Sequence, residues 1–155
     1  MHEGMPKPTK EHAQLEKLIG VWEGDEKMEA SPWGPASNAR GKYNMVRACD
    51  GFFVVQDYAQ EKDGKVGFRG HGVFGWDPTD QSYTWYWVDS MGSPTPTASR
   101  GKWVGDTLTF ESNSPQGKGR YTFRFSSANS LTFKLENCFD GKNWLQFMEG
   151  TYKKK

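Results

Sequence analysis

The chain has 155 residues, with 20 Lys plus Arg against 19 Asp plus Glu and a formal net charge of +1, a balance that offers no field to draw in nucleic acid or an anionic membrane. The length suits one domain with one core, residues 1–155, and the two cysteines, Cys49 and Cys138, lie far apart without a Cys/His spacing suited to zinc, which leaves two free thiols rather than a disulfide scaffold or metal site. Met1 to Lys10 carry no apolar signal-like run and no later stretch is as long as a membrane span, so a soluble, cytoplasmic protein with neither nucleic acid nor membrane as partner is expected.

Residues 1–9, with Pro6 and Pro8, read as a flexible lead-in. In Lys10 to Ile19, Leu15, Leu18 and Ile19 recur at helical spacing and Thr9 stands at the cap position, which predicts a short helix ended by Gly20. Val21 to Ala30 then alternates cleanly, with Glu23, Asp25, Lys27 and Glu29 on one face and Trp22, Gly24, Glu26 and Met28 on the other. Ser31 to Ser37, containing Pro32, Trp33, Gly34 and Pro35, cannot join a ladder smoothly and reads as a loop near one barrel mouth.

Beyond it the reversals are explicit: Asp50-Gly51, Asp63-Gly64, Asp77-Pro78, Gly105-Asp106 and Asp140-Gly141. They separate strands expected near 38–49, 52–61, 65–76, 82–91, 97–104, 107–112, 119–126, 131–139 and 143–153, so that the chain carries about ten strands and no further helix. The fold class is all-β: an antiparallel up-and-down barrel over 21–153 with a short N-terminal helix closing one end. Seven Trp, six Tyr and ten Phe beside eighteen Gly suit a curved barrel, rings filling the interior where glycine permits close approach.

The run Leu18-Ile19-Gly20-Val21-Trp22-Glu23-Gly24, in which Gly-x-Trp opens the first strand of an all-β meander, resembles the calycin superfamily of lipocalins, fatty-acid-binding proteins and nitrobindin-like barrels. Gly70-His71-Gly72-Val73-Phe74-Gly75-Trp76-Asp77, followed by Tyr83 and Trp87-Val88-Asp89-Ser90-Met91-Gly92, resembles DUF1579, a bacterial family of unknown function. The second half follows these barrels in general pattern only. The Tyr-x-Arg expected near the end of some of them is Tyr152-Lys153-Lys154 here, so no role rests on that arginine. The resemblance implies a calycin-like barrel and no settled activity, and the candidate residues rest on their own chemistry.

Trp22 reads as a floor plug sealing the closed end against the helix, its indole N–H in need of a partner. Glu26 falls on the inward face with Trp22 and Met28. An inward carboxylate among rings costs several kcal/mol unless it is paired or hydrogen-bonded, and Arg47 on the next strand is the obvious cation if Tyr43 and Met45 face inward with it. The pair either closes the lumen as a structural bridge or anchors a ligand. Trp85, Trp87 and Asp89 fall at period two, two indoles and a carboxylate in a row; they either face a ligand or point outward, with Asp89 capping the turn through Ser90 to Pro94.

His71 is the histidine outside the N-terminal segment that holds His2 and His12. In nitrobindin-like barrels a histidine ligates haem iron, but the resemblance places it near the C-terminus, and parity turns His71 away from the lumen, which disfavours haem; no cofactor is expected. The expected role is non-covalent binding of a small hydrophobic or amphipathic molecule, with stacking area from Trp85 and Trp87, directional hydrogen bonds from Tyr43, Tyr58 and Gln56, and a polar anchor from Glu26, Arg47 and Asp89. The competing reading is an enzyme working on a small organic substrate through a cavity carboxylate, Glu26, Asp57, Asp89 or Glu149, although no nucleophile elbow, phosphate-cradling loop or metal-ligand cluster accompanies them. A third is a barrel filled by its own rings, its function on the outer surface or in a homodimer interface.

Overall fold

The computed structural model describes residues 4–32, 34–93 and 97–155; Trp33 of the expected mouth loop, Pro94 of the expected turn and His2 lie outside them. The predicted helix divides in two: α1 spans Lys10–Gln14 and runs into a 3₁₀ turn at Leu15–Leu18. Leu15 and Leu18, three apart, eclipse one another in the tighter turn, so both point down into the barrel and both are buried. The Thr9 backbone N–H donates to His12 Nδ1 at 2.9 Å, which ties the helix start to its own first turn.

Ten strands follow: β1 Gly20–Met28, β2 Ser37–Ala48, β3 Phe53–Lys62, β4 Lys65–Asp77, β5 Ser82–Asp89, β6 Ser99–Val104, β7 Thr107–Ser114, β8 Gly117–Ser127, β9 Ser130–Cys138 and β10 Leu145–Lys154. Each pairs antiparallel with its sequence neighbour, and β1 pairs with β10, from Trp22↔Lys154 to Met28↔Met148, to close the barrel. The boundaries predicted from alternation hold to within a few residues. β5 stops before Met91 because Asp89 Oδ1 accepts the Met91 N–H (3.0 Å) and turns the chain. Among the described residues the one helical feature after Gly20 is a 3₁₀ turn at Cys49–Gly51, where Cys49, Asp50 and Gly51 all have positive φ. In the β3–β4 hairpin Asp63 (φ 51) and Gly64 (φ 78) supply the paired left-handed residues of a tight two-residue turn.

The two barrel ends differ in kind. At the closed end Trp22 is fully buried and its indole N–H donates to the Leu18 carbonyl at 2.9 Å, the floor plug its position predicted. The Tyr83 hydroxyl donates to the Glu11 carbonyl (2.8 Å), which ties α1 to β5. Above that floor Phe74 lies parallel to Trp85 with centroids 5.5 Å apart, and Phe123 meets Phe74 edge-on at 5.6 Å.

Candidate functional site

Toward the other end the inward side chains shrink. Along β4 the inward series narrows from Trp76 and Phe74 to Gly72 and Gly70 before Phe68 beyond them; along β6 it runs Trp103, Gly101, Ser99; along β7 it runs Leu108, Phe110, Ser112, Ser114. Rings fill the closed half, and the mouth half is left with a cavity of about 670 Å3. The lumen is thus filled by its own rings at one end and open at the other. Trp85, Trp87, Phe68, Phe133, Tyr121 and Met148 supply apolar wall, and Ser31, Gly34, Pro35 and Ser37 bring the mouth loop to its rim.

The orientation of β5 is settled: Trp85, Trp87 and Asp89 face the lumen, while Tyr86 and Val88 are about half exposed outside. The bare backbone of β4 makes room for the indoles, since a Cβ at Gly70 would meet the Trp87 ring and one at Gly72 would lie 2.6 Å from Trp85 Nε1. Asp89 faces the lumen and also caps the turn considered for it. Oδ2 accepts the Trp87 indole N–H at 2.8 Å while Oδ1 holds the turn.

Gln56 is fully buried in the wall of the deep part of the cavity. Its Oε1 accepts the Trp85 indole N–H at 3.1 Å. An indole nitrogen only donates, so this bond fixes the amide with its oxygen toward Trp85. Gln56 Nε2 then has no hydrogen-bond partner, alone among the buried side-chain polar atoms of the described residues.

Glu26 is inward and 2% exposed, as parity required, but its partners are not the expected cation. The Tyr58 hydroxyl sits 2.7 and 2.8 Å from its two oxygens, the Tyr152 hydroxyl donates to Oε2 at 2.5 Å, and Gln60 Nε2 donates to Oε1 at 3.0 Å. Tyr43 packs on both phenols, its ring centroid 4.9 Å from each, with its hydroxyl 3.5 Å from that of Tyr152. Gly41 lets the carboxylate cross β2 to reach β3, because a Cβ there would collide with the Glu26 oxygens. Burial, then the neighbouring acidic groups, push the Tyr43, Tyr58 and Tyr152 hydroxyls well above the usual phenol range, so all three keep their protons as donors. The carboxylate is sealed behind Tyr43, Tyr58 and Gln60, which themselves line the cavity.

Arg47 is corrected. It shares inward parity with Tyr43 and Met45, but lies beyond the floor: Glu26 pairs with Ala39, eight residues up β2, which is about 26 Å of strand. Its guanidinium lies outside the barrel, with Nε 3.5 Å from Glu16 of the 3₁₀ turn and both side chains half exposed. Parity gives the face of a strand and not the depth. Asp57 and Glu149 also fall outside, paired with His71 (2.9 Å) and Lys134 (3.6 Å), and His71 points away from the lumen as predicted. The sequence reading gives no role to Tyr152 or Gln60, and it passes over the decline in inward side-chain size on β4, β6 and β7, which is legible and marks the open end.

A protein-family model described as a protein of unknown function, DUF1579, matches residues 7–154. The chain belongs to the DUF1579 family. Among solved structures, this DUF1579 barrel is similar to Rv2717c from M. tuberculosis, with a TM-score of 0.71 and 12% identity over 96% of this chain and 99% of that one. It is also similar to the S-type phycobiliprotein lyase CPES from Guillardia theta, with a TM-score of 0.68 and 10% identity over 97% and 98%. At such identities the likeness establishes the barrel architecture alone. No curated protein sequence matches the chain. Among the described residues no helix is long and apolar enough to cross a membrane.

Proposed function

We propose that this DUF1579 barrel binds a small hydrophobic or amphipathic molecule, non-covalently, in the mouth half of its lumen. The observation that carries the reading is the cavity itself: about 670 Å3, within the range of small-molecule sites, walled mainly by rings and aliphatic groups with a few placed polar atoms. Trp85 and Trp87 offer stacking surface, Gln56, Tyr43 and Tyr58 stand at the polar wall, and Asp89 fixes the Trp87 indole at the mouth. Glu26 supports the site from behind: its cage holds Tyr58 and Gln60 in place, and it is no direct anchor in this reading.

Native mass spectrometry of protein purified without added ligand, set against a denatured sample, tests this directly. A copurified mass lost on denaturation supports the proposal. So does saturable, stoichiometric uptake of the neutral dye Nile red that weakens in Trp87→Ala. A bare apo mass together with no saturable dye uptake would overturn it.

A further inference from the structure

The geometry points to the chemical class of the ligand: an uncharged, ring-bearing molecule whose leading end carries a hydrogen-bond acceptor, such as a carbonyl or ring nitrogen, received by Gln56 Nε2. This rests on the lumen-binding reading above. The amide is locked with its oxygen on the Trp85 indole, leaving an N–H donor group with no protein partner just beneath the surface of the deep wall, which an acceptor meets once the covering side chains give way. Such a donor costs free energy until an acceptor reaches it, so a ligand that supplies one gains more than an apolar isostere of the same shape.

Charge argues against an anionic head. Among the described residues that line the cavity the charged ones are Glu29, Lys62 and Asp89, on segments at the mouth, and Lys62 Nζ there donates to Ser37 Oγ at 3.1 Å. Arg47, which could have met a carboxylate, is outside. A carboxylate pushed to the Gln56 end would be desolvated with no cation beside it, and the Glu26 group sits behind the same Tyr58 wall. The parallel Phe74–Trp85 stack and the nearby Trp87 favour a flat partner over a flexible alkyl chain.

Three probes of one shape decide it: 2-acetonaphthone, 2-ethylnaphthalene and 2-naphthoate, titrated against the full chain by quenching of tryptophan fluorescence. The ketone should bind about tenfold tighter than the hydrocarbon, with the anion weakest. Gln56→Leu should erase the ketone preference while retaining hydrocarbon binding. Gln56→Glu, which keeps an oxygen for the Trp85 indole, should erase it too. Equal affinity for ketone and hydrocarbon in the wild type, a preference that survives either variant, or tightest binding of the anion would overturn the assignment while leaving the lumen reading intact. If none of the three probes binds, this assignment falls, and the lumen reading is decided separately by the native mass and the Nile red uptake. The wild-type series decides the question even where a variant does not fold.

Discussion

Glu26 and Tyr152, 126 residues apart in the chain, meet across the β1–β10 seam at 2.5 Å, and with Tyr58 and Gln60 they form a buried polar cluster that contains no cation. Glu26→Gln is expected to cost about 1–3 kcal/mol of stability, because the amide keeps one acceptor oxygen and sets an N–H donor where the carboxylate accepts from Tyr58 with Gln60 or Tyr152. Tyr152→Phe should cost a similar amount, and the double variant less than the sum of the two. Urea unfolding of the four proteins checks this. Strict additivity would show that the two groups do not act together.

Alkali should unfold the barrel cooperatively. Tyr43, Tyr58 and Tyr152 are all raised in the folded state by burial first, and Tyr83 is pushed up to about 12 by the same cause. A raised pKa means that the unfolded chain releases the proton first, so the stabilisation is complete below the ordinary phenol value of about 10 and is lost as pH rises above it, at up to about 1.4 kcal/mol per pH unit for each tyrosine. Phenolate absorbance from these residues should appear together with loss of the far-ultraviolet circular dichroism. Their ionisation with the sheet intact would contradict the cage.

Gly41 and Gly67 separate a packing glycine from a spare one. A Cβ at Gly41 meets the Glu26 carboxylate, whereas at Gly67 nothing lies within 4 Å. Gly41→Ala should destabilise by about 1–3 kcal/mol through overpacking, and Gly67→Ala should be neutral or stabilise by up to about 1 kcal/mol. Equal thermal midpoints for the two variants would refute the crossing of β2 by Glu26.

Acid should loosen the floor before the barrel. Burial holds the pKa of His12 below its ordinary value, and its Nδ1 accepts the Thr9 N–H. Below the ordinary histidine pKa of about 6.5 the unfolded segment takes up the proton more readily, so the contribution of His12 is present above that pH and is lost as pH falls toward its lowered folded value. Hydrogen-exchange protection over residues 10–18, taken relative to the intrinsic rate at each pH, should fall selectively at about pH 5 relative to about pH 7.5. Equal protection at both would count against this role.

Arg47→Ala should change stability by no more than about 0.5 kcal/mol, as expected of an exposed ion pair, and should leave Nile red affinity as it is. A several-fold loss of dye binding would return Arg47 to the lumen wall.

Alternation with a period of two, turn pairs such as Asp63-Gly64 and the Gly-x-Trp entry carried the strand number, order and inward faces of this protein, because each depends on a few consecutive residues. Trp22, Glu26 and His71 were assigned their sides correctly for that reason, whereas on β5, where both faces carry rings, alternation left Trp85 and Trp87 undecided and the barrel settled it. Depth and partnership are different quantities. They depend on the register between strands and on how far an element runs past the floor, so Arg47 with the right parity still lies outside, and Glu26 is satisfied by Tyr152 from the far end of the chain. The orphaned Gln56 amide nitrogen likewise exists only because Trp85, 29 residues away, takes the oxygen. Local spacing decided what each strand shows to the lumen; barrel closure decided which of those groups meet.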